Sequence, residues 1–487
     1  EFRRVLFRSI CAPMSAEKTI ELNGKSYPML ADGEYDVIIL GTGLKECMLA
    51  GLLSKKGMKV MVLDRNGYYG GECASLNLEE LYKRFKGEMP EEKIQKKLGS
   101  SRDYCVDLIP KFLMSCGKLS DILYITGVTN YLEFQCIEGS YVFSGKSKQV
   151  AKMPTTVEEA MNTPLLSFMQ KLKYKNFLTG INQMDIPGED GVDSDEDVPL
   201  NRMTTRELYK KYGLDDNSQD FTGHAMALHL NDDYLDEPAT ETVKAIKLYG
   251  YSVNAYGQSP FIYPLYGLGG LPEGFSRLCG LNGGVFILNH EIDSIEYENE
   301  KVIGVVSQGE AARAKMIIGD PSYFKEEQMR KTGQVVRSIC LLNHPIEAVD
   351  GAKSCQIIIP AKQVELAGYK KRSSDIYVSC VSYKHKVCPK GIYIAIVSTT
   401  VETKKPEKEL QPGIDLLGKI IDRFDSVVTT YRPRSAAKKS NIFMTTSYDA
   451  TSHFETVAED VLNVYKQVTG EHLDLNVKRD EEDEEDE

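Results

Sequence analysis

The sequence predicts an α/β (α+β) protein. It has a larger flavoprotein-like domain of the FAD/NAD(P)-binding, Rossmann type without a functional cofactor site, and a smaller all-helical domain. Three observations predict this. A strand, a glycine turn, a helix, a second strand and an acidic residue follow one another between Glu34 and Asp64. Strand-sized apolar segments return near residues 301–320. Between them, residues 151–245 place apolar side chains at helical rather than strand spacing.

The first unit is the most explicit. Glu34–Leu40 (EYDVIIL) reads as a strand, Gly41-Thr42-Gly43 as a tight turn, Leu44–Lys55 as a helix and Val60–Leu63 (VMVL) as a second strand ending at Asp64. In a working dinucleotide site the first two glycines make the turn and admit pyrophosphate. A third lets helix and strand pack, and the acidic residue holds a ribose hydroxyl. Here the third position is Glu46. A carboxylate there adds bulk and puts negative charge at the helix N-terminus, where an anionic pyrophosphate would sit. Gly41, Gly43, Glu46 and Asp64 therefore read as a vestigial motif: the scaffold is kept and the cofactor is not.

Lys301–Ser307 (KVIGVVS) and Lys315–Asp320 (KMIIGD) read as returning strands, and Gly70-Gly71 resembles the second glycine motif of a flavoprotein sheet. In the middle, Thr156–Leu178 carries Leu165, Phe168, Met169 and Leu172 as a helical stripe. Thr204 and Glu207 fit a capping box. Phe221, Ala225 and Leu228 continue the pattern, as do Val243, Ile246 and Tyr249. The expected organisation is an N-terminal extension, 1–33, partly non-native because residues 1–13 precede Met14 like an assembly scar. The larger domain is 34–150 with 246–473, the helical domain is 151–245, and an acidic disordered tail is 474–487.

Charge and composition exclude several function classes. The 487 residues carry 59 Lys+Arg against 71 Asp+Glu, a net charge of −12, and residues 480–487 alone are all acidic. The chain lacks the basic balance of a nucleic-acid binder. No apolar run approaches the roughly 20 residues of a membrane helix. The eleven cysteines are scattered and form no CxxC pair, which reads as reduced thiols of a cytoplasmic protein. HExxH, GxSxG and P-loop motifs are missing, and His224 and His229 are spaced i,i+5. No catalytic residue and no metal site are expected.

Several blocks together resemble one family. They are Tyr35–Glu46 (YDVIILGTGLKE), Asp64–Phe85 (DRNGYYGGECASLNLEELYKRF), Asp107–Met114 (DLIPKFLM), Asp220–Leu228 (DFTGHAMAL), Tyr263–Leu278 (YPLYGLGGLPEGFSRL) and Tyr448–Glu455 (YDATSHFE). From about Tyr35 to Leu473 the chain resembles the Rab GDP-dissociation inhibitors, in the superfamily shared with Rab escort proteins. The resemblance implies a flavoprotein-like domain without flavin or other cofactor, and a carrier rather than an enzyme. Such a carrier binds GDP-bound geranylgeranylated Rab GTPases, slows GDP release, extracts them from membranes and recycles them through the cytosol. A monomer with transient membrane contact is expected.

The resemblance implies a Rab-binding platform of Tyr68, Tyr69, Arg102, Leu271, Pro272, Arg277, Phe286 and Ile287. A surface for the Rab C-terminus is expected at Leu108, Ile109, Leu119, Ile122, Leu123, Val128 and Tyr131. The prenyl lipid is expected against Leu165, Phe168, Met169, Leu172, Phe177, Phe221, Ala225 and Leu228. The chain departs from the family pattern at Gly67 (proline), Ala245 (arginine), Gly270 (glutamate) and Val285–Ile287 (Thr-Tyr-Met). Two rival readings share these features: a Rab escort protein presenting Rab for geranylgeranylation, and an FAD-dependent oxidoreductase.

Overall fold

The computed structural model describes residues 18–154, 156–186, 199–434 and 437–476. The expectations for residues 1–13 and for the acidic tail beyond 476 lie outside the described residues.

The predicted βαβ unit is present, with helix Leu44–Lys55 and strand Val60–Leu63 at the predicted bounds. Strand Lys25–Leu40 pairs in parallel with Val60–Leu63 on one side and with Glu310–Gly319 on the other. Val285–Ile287 and Ile442–Met444 extend the parallel region, and Lys301–Ser307 and Ile292–Glu298 complete it as antiparallel neighbours. Val37 and Ile39 face one core while Ile38 and Leu40 face another. Burial on both faces explains why this strand is a continuous apolar run.

The first strand begins nine residues earlier than the sequence pattern predicts. Thr19–Leu22 folds back on it as a hairpin, with Leu22 opposite Lys25. Both turn residues, Asn23 and Gly24, have positive φ (48° and 73°). That is the Asn-Gly signature of a type I′ turn. Residues 19–33 thus belong to the sheet, which corrects their assignment to an extension.

A second, seven-stranded sheet runs in the order Ile420–Pro433, Met329–Leu342, Tyr393–Thr400, Ile376–Ser382, Cys355–Ile359, Gly139–Ser144 and Gln149–Lys152. Between residues 157 and 256 the described chain is helical. It comprises Val157–Asn162, Phe168–Asn182, Pro199–Arg202, Thr205–Tyr212, Asp216–Phe221, a π-helical turn at Thr222–Met226, and Ala239–Tyr256. The Thr204/Glu207 capping box forms with both reciprocal bonds. Among the described residues no helix is long and apolar enough to cross a membrane.

A buried ion network fastens this helical segment to the second sheet. His224 Nδ1 lies 2.8 Å from Asp375 and its Nε2 3.2 Å from Asp232, with Asp220 at 3.7 Å. Gln363 donates to Asp220 at 2.8 Å and accepts from the Gly145 amide at 2.9 Å. Burial disfavours the charged ring, but Asp375, Asp232 and Asp220 outweigh it and push the His224 pKa up to about 10.

A pKa raised by folding gives stability that is fully present below the ring's ordinary value of 6.5 and is lost as pH rises toward 10. His224→Gln is therefore expected to cost roughly 3–5 kcal/mol near pH 6, as for breaking a buried pair. The difference from wild type should shrink steadily in urea titrations taken up to pH 10. A difference independent of pH would mean that the ring is not held as a cation.

Candidate functional site

The glycine turn is filled by the protein's own side chains. Gly41 has φ +99°, and its amide donates to Leu63 O at 2.7 Å. Asp64 Oδ2 accepts from the Thr42 amide (2.7 Å) and hydroxyl (2.6 Å). Its Oδ1 accepts from the Asn66 amide (2.7 Å), the Asn66 side chain (3.0 Å) and Tyr323 Oη (3.2 Å). The carboxylate that would hold a ribose is thus engaged by five protein donors. A Cβ placed on Gly43 would lie 2.4 Å from Glu46 Oε2, so the Glu46 carboxylate covers the point where pyrophosphate approaches. The Tyr323 ring comes within 3.1 Å of a Cβ placed on Gly41. Burial, and then the nearby Asp320, raise the Glu46 pKa to about 7, while the Thr445 hydroxyl donates to it at 2.8 Å. These residues do not fit a dinucleotide.

The same turn carries an exposed edge. The Gly70 amide donates to Thr42 O at 2.9 Å, which sets the preceding tyrosines on the rim. Tyr68 is 47% exposed, and Tyr69 is half-buried with its ring centroid 5.8 Å from that of Phe286. Both line a cleft of about 840 Å³ whose other walls are helix Leu78–Lys86, the turn at Tyr131–Glu133 and the loop Leu265–Gly270. Glycine at 67 suits this edge: a Cβ there would lie 2.7 Å from Asn289 Oδ1.

Asp107 holds the cleft floor. It lies in the short ribbon that pairs Ser75–Leu76 with Val106–Asp107. Its buried carboxylate accepts from the Ser75 hydroxyl, from Tyr263 Oη and from the Leu268 amide at 3.0–3.1 Å. Ser75 Oγ in turn accepts from the Gly269 amide at 3.1 Å. Burial pushes the Asp107 pKa up to about 6 even against these donors. Gly267, at φ +87°, is required here: a Cβ would lie 2.8 Å from Ser75 Oγ.

Helix Gly270–Leu281 then leaves the floor. It packs on helix Leu44–Lys55 at Gly51, where a Cβ would touch Leu278 and Phe275 at 3.1–3.2 Å. Its exposed Arg277 places the guanidinium carbon 4.5 Å from the centre of the Tyr131 ring. The glycine at 270 faces Leu132: a Cβ added there would lie 2.9 Å from that side chain, so the glutamate of the family pattern would have to displace the leucine.

The structure therefore brings Tyr68, Tyr69 and Tyr131 together on one cleft, with Phe286 behind Tyr69 and Arg277 stacked on Tyr131. Ile287 is half-buried at the end of its strand. Arg102 is exposed on the turn Ser101–Asp103, outside the cleft lining. Ser101 ties that turn to the neighbouring helix through the Glu79 amide at 2.7 Å. Leu271 and Pro272 are buried and position the helix rather than meet solvent.

Six residues of the expected C-terminus surface, Leu108, Ile109, Leu119, Ile122, Leu123 and Val128, are buried in the core. Only Tyr131 of that set is exposed. The lipid set divides in the same way. Phe177, Phe221 and Ala225 are core, and Leu165 and Leu228 are partly buried at its edge. Phe168, Met169 and Leu172 are exposed on the first turns of their helix. Cleft residues that sequence reasoning missed are Glu80, Lys83, Arg84, Glu133, Tyr266 and Glu273. The i, i+3, i+4 spacing of Glu80, Lys83 and Arg84 on an amphipathic helix was the available signal.

Among the described residues one group, Asp220, His224 and Asp232, brings three possible metal-ligating atoms within 4.8 Å of one another. Both His224 nitrogens already face carboxylates, and Lys362 Nζ lies 3.0 Å from Asp232. The cations there are the protein's own.

Asp107→Asn replaces an acceptor oxygen with a donor amide beneath three donors. It is expected to lower stability by about 1–3 kcal/mol and to speed hydrogen exchange at the Leu268 and Gly269 amides. Unchanged exchange there would show that the floor is held by something else.

A family described as GDP dissociation inhibitor matches residues 31–480. The chain is 48% identical over 453 residues to a probable secretory pathway GDP dissociation inhibitor 1 of Schizosaccharomyces pombe, covering 93% of this chain and 100% of that one. It is 48% identical over 445 residues to the Rab GDP dissociation inhibitor beta of Rattus norvegicus, covering 91% and 96%. The solved structure of a Rab GDI from Plasmodium falciparum superimposes with a TM-score of 0.84 at 47% identity, covering 91% and 99%. An oxidoreductase from Methanosarcina mazei shares the fold alone, with a TM-score of 0.54 at 15% identity, covering 88% and 100%.

Proposed function

The chain belongs to the GDP dissociation inhibitor family, and from that premise we propose that it binds GDP-bound, geranylgeranylated Rab GTPases, slows their GDP release, extracts them from membranes and carries them through the cytosol. It acts as a monomeric carrier with transient membrane contact and catalyses no reaction. The observation that carries this reading is the conversion of the glycine turn. Its cofactor face is plugged by Glu46 and Tyr323, while its outer edge presents Tyr68 and Tyr69 to an open cleft. Tyrosine and arginine are the residue types that anchor interfaces. Tyr68, Tyr69, Tyr131 and Arg277 supply them around one cleft, with Arg102 nearby as a peripheral contact. The plugged turn counts against the oxidoreductase reading, and the relatives' names favour an inhibitor over an escort protein.

The mechanism follows from linkage. A platform that binds the GDP form better than the nucleotide-free form must raise the affinity for GDP by the same factor, and slower release is the kinetic expression of that gain when the on-rate is unchanged. The lipid sets a second requirement. A geranylgeranyl chain has 20 carbons, and at about 0.8 kcal/mol per buried CH₂ its exposure would cost on the order of 16 kcal/mol as an upper bound. A protein groove and a bilayer are similarly apolar, so transfer between them is near neutral and contacts with the GTPase body must drive extraction. The sheet-bearing parts of the chain, residues 19–152 and those beyond helix Ala239–Tyr256, serve as the GTPase-binding part and the helical segment 157–256 as the lipid-binding part, so the boundaries expected at 150 and 245 move to the ends of the observed elements. The exposed Phe168, Met169 and Leu172 support the latter, being apolar surface that no other described element covers.

The direct test measures GDP release from a prenylated Rab with and without the purified chain, with an absorption spectrum of the same sample. Slowed release from a colourless protein is expected; unchanged release with a flavin-like band would overturn the reading. Arg277→Ala, at an exposed position, should weaken GDP-Rab binding by about tenfold or more, and wild-type affinity would remove Arg277 from the platform. Phe168→Asp with Leu172→Asp should leave binding of the GTPase body intact and abolish extraction from vesicles. Undiminished extraction would sink the lipid assignment.

A further inference from the structure

A cleft of about 410 Å³ on the second sheet's flank shares no lining residue with either surface described above. It is lined by Lys370, Lys371, Arg372, Lys404, Lys405 and Lys408, with Glu402 and Glu409 as the only acids in its wall. That concentration is unexpected in a chain of net charge −12.

Both acids are engaged by donors of the fold. Glu402 accepts from the Ser373 and Ser374 amides at 3.0 and 2.8 Å. Glu409 accepts from the Glu402 amide (3.0 Å) and from the Thr403 amide and hydroxyl (both 2.7 Å). Arg372 is also spent within the fold, on Thr399 Oγ1 at 2.6 Å and Thr400 O at 3.0 Å. The five lysines reach the surface, where the exposed Glu365 and Glu407 flank them. All five are exposed. Lys371 reaches Glu365 only at 3.9 Å, and Lys370, Lys404, Lys405 and Lys408 form no ion pair among the described residues. Leu366, next to Glu365, is 53% exposed.

We propose that this lysine cleft, with the exposed Leu366 two residues beyond Val364 of its wall, is a docking surface for the anionic face of a lipid bilayer. The inference rests on the carrier reading, which brings the chain to membranes, and names the surface that makes the contact. Compact, hydrated ammonium groups spread over two loops suit a diffuse layer of headgroups, whereas bidentate recognition of one phosphate favours arginine. The long lysine stems and Leu366 suit the boundary between headgroups and acyl chains. The position is also apt. Three residues beyond Arg372, Asp375 grips His224 of the helical segment, and Lys362, on the helix that ends at Leu366, meets Asp232. The cleft is therefore mechanically continuous with the segment assigned to the lipid. A chain of this net charge is repelled by an anionic leaflet as a whole, so a local cationic face would fix which side approaches.

The test is co-sedimentation of the full chain with phosphatidylcholine vesicles and with vesicles that also carry phosphatidylserine. Binding only to the anionic vesicles is expected. Lys404→Glu with Lys405→Glu should weaken it by about tenfold or more. Raising the salt so that the Debye length falls from about 10 Å to about 3 Å should do the same. Equal binding to both vesicle types, or full binding by the charge-reversed variant, would overturn the proposal. Capture by soluble inositol hexakisphosphate without vesicle binding would overturn it in favour of a small polyanion site. In vesicle-free GDP-release assays the variant should match wild type. A wild-type chain that fails to slow GDP release yet binds anionic vesicles would sink the carrier reading and leave this surface standing.

Discussion

A single buried carboxylate sets the geometry on which the cleft depends. Asp107 is removed from water, which alone would be unfavourable by several kcal/mol. It is tolerated because Ser75, Tyr263 and the Leu268 amide converge on it. Those donors come from three separate parts of the chain: the short ribbon, the strand Phe261–Pro264 and the loop that opens helix Gly270–Leu281. Satisfying one charge therefore brings the three together. Tyr68 and Tyr69 on one wall, Tyr131 on another and the start of the Arg277 helix acquire fixed relative positions through it. The pKa of about 6 records how incompletely the donors offset burial.

A second polar layer binds the glycine turn to the end of the chain. Lys45 pairs with Asp460 at 2.7 Å and donates to Thr446 O, while its neighbour Glu46 takes the Thr445 hydroxyl. Lys111, fully buried, pairs with Asp449 at 2.6 Å in the same C-terminal stretch. The helix N-terminus that would face a cofactor phosphate faces this layer instead. What was a ligand-binding edge has become an internal junction, and its outer side is free to serve as a surface for a partner.

The scaffold is legible in the sequence where local rules and tertiary packing agree. Helix Leu44–Lys55 and strand Val60–Leu63 are readable to the residue because the glycines, the apolar runs and Asp64 all point the same way. The Thr204/Glu207 box is readable because capping is local. The hairpin at Asn23-Gly24 is equally local, but the polar residues around it hide a strand. Apolarity is the poorest guide to the site. Leu119, Ile122, Leu123 and Val128 read as a groove but form core, since composition cannot distinguish a surface that binds apolar matter from an interior that is made of it. Phe168, Met169 and Leu172 show the converse, an apolar stripe left facing outward. Lys83 and Arg84 escape assignment because their helical spacing marks a shared polar face without saying whether that face lines a cleft or meets bulk water.

The plug at the glycine turn also changes what the fold answers to. In a flavoprotein the bound cofactor stabilises the folded state by mass action, and the gain rises with the concentration of free ligand. Stripped of it, such a domain is less stable and opens more often. Here the groups occupying that position are covalently part of the chain, so their local concentration is fixed by the backbone and does not vary with supply. There is no apo state to populate. The stability that this part of the scaffold contributes no longer varies with the supply of a cofactor.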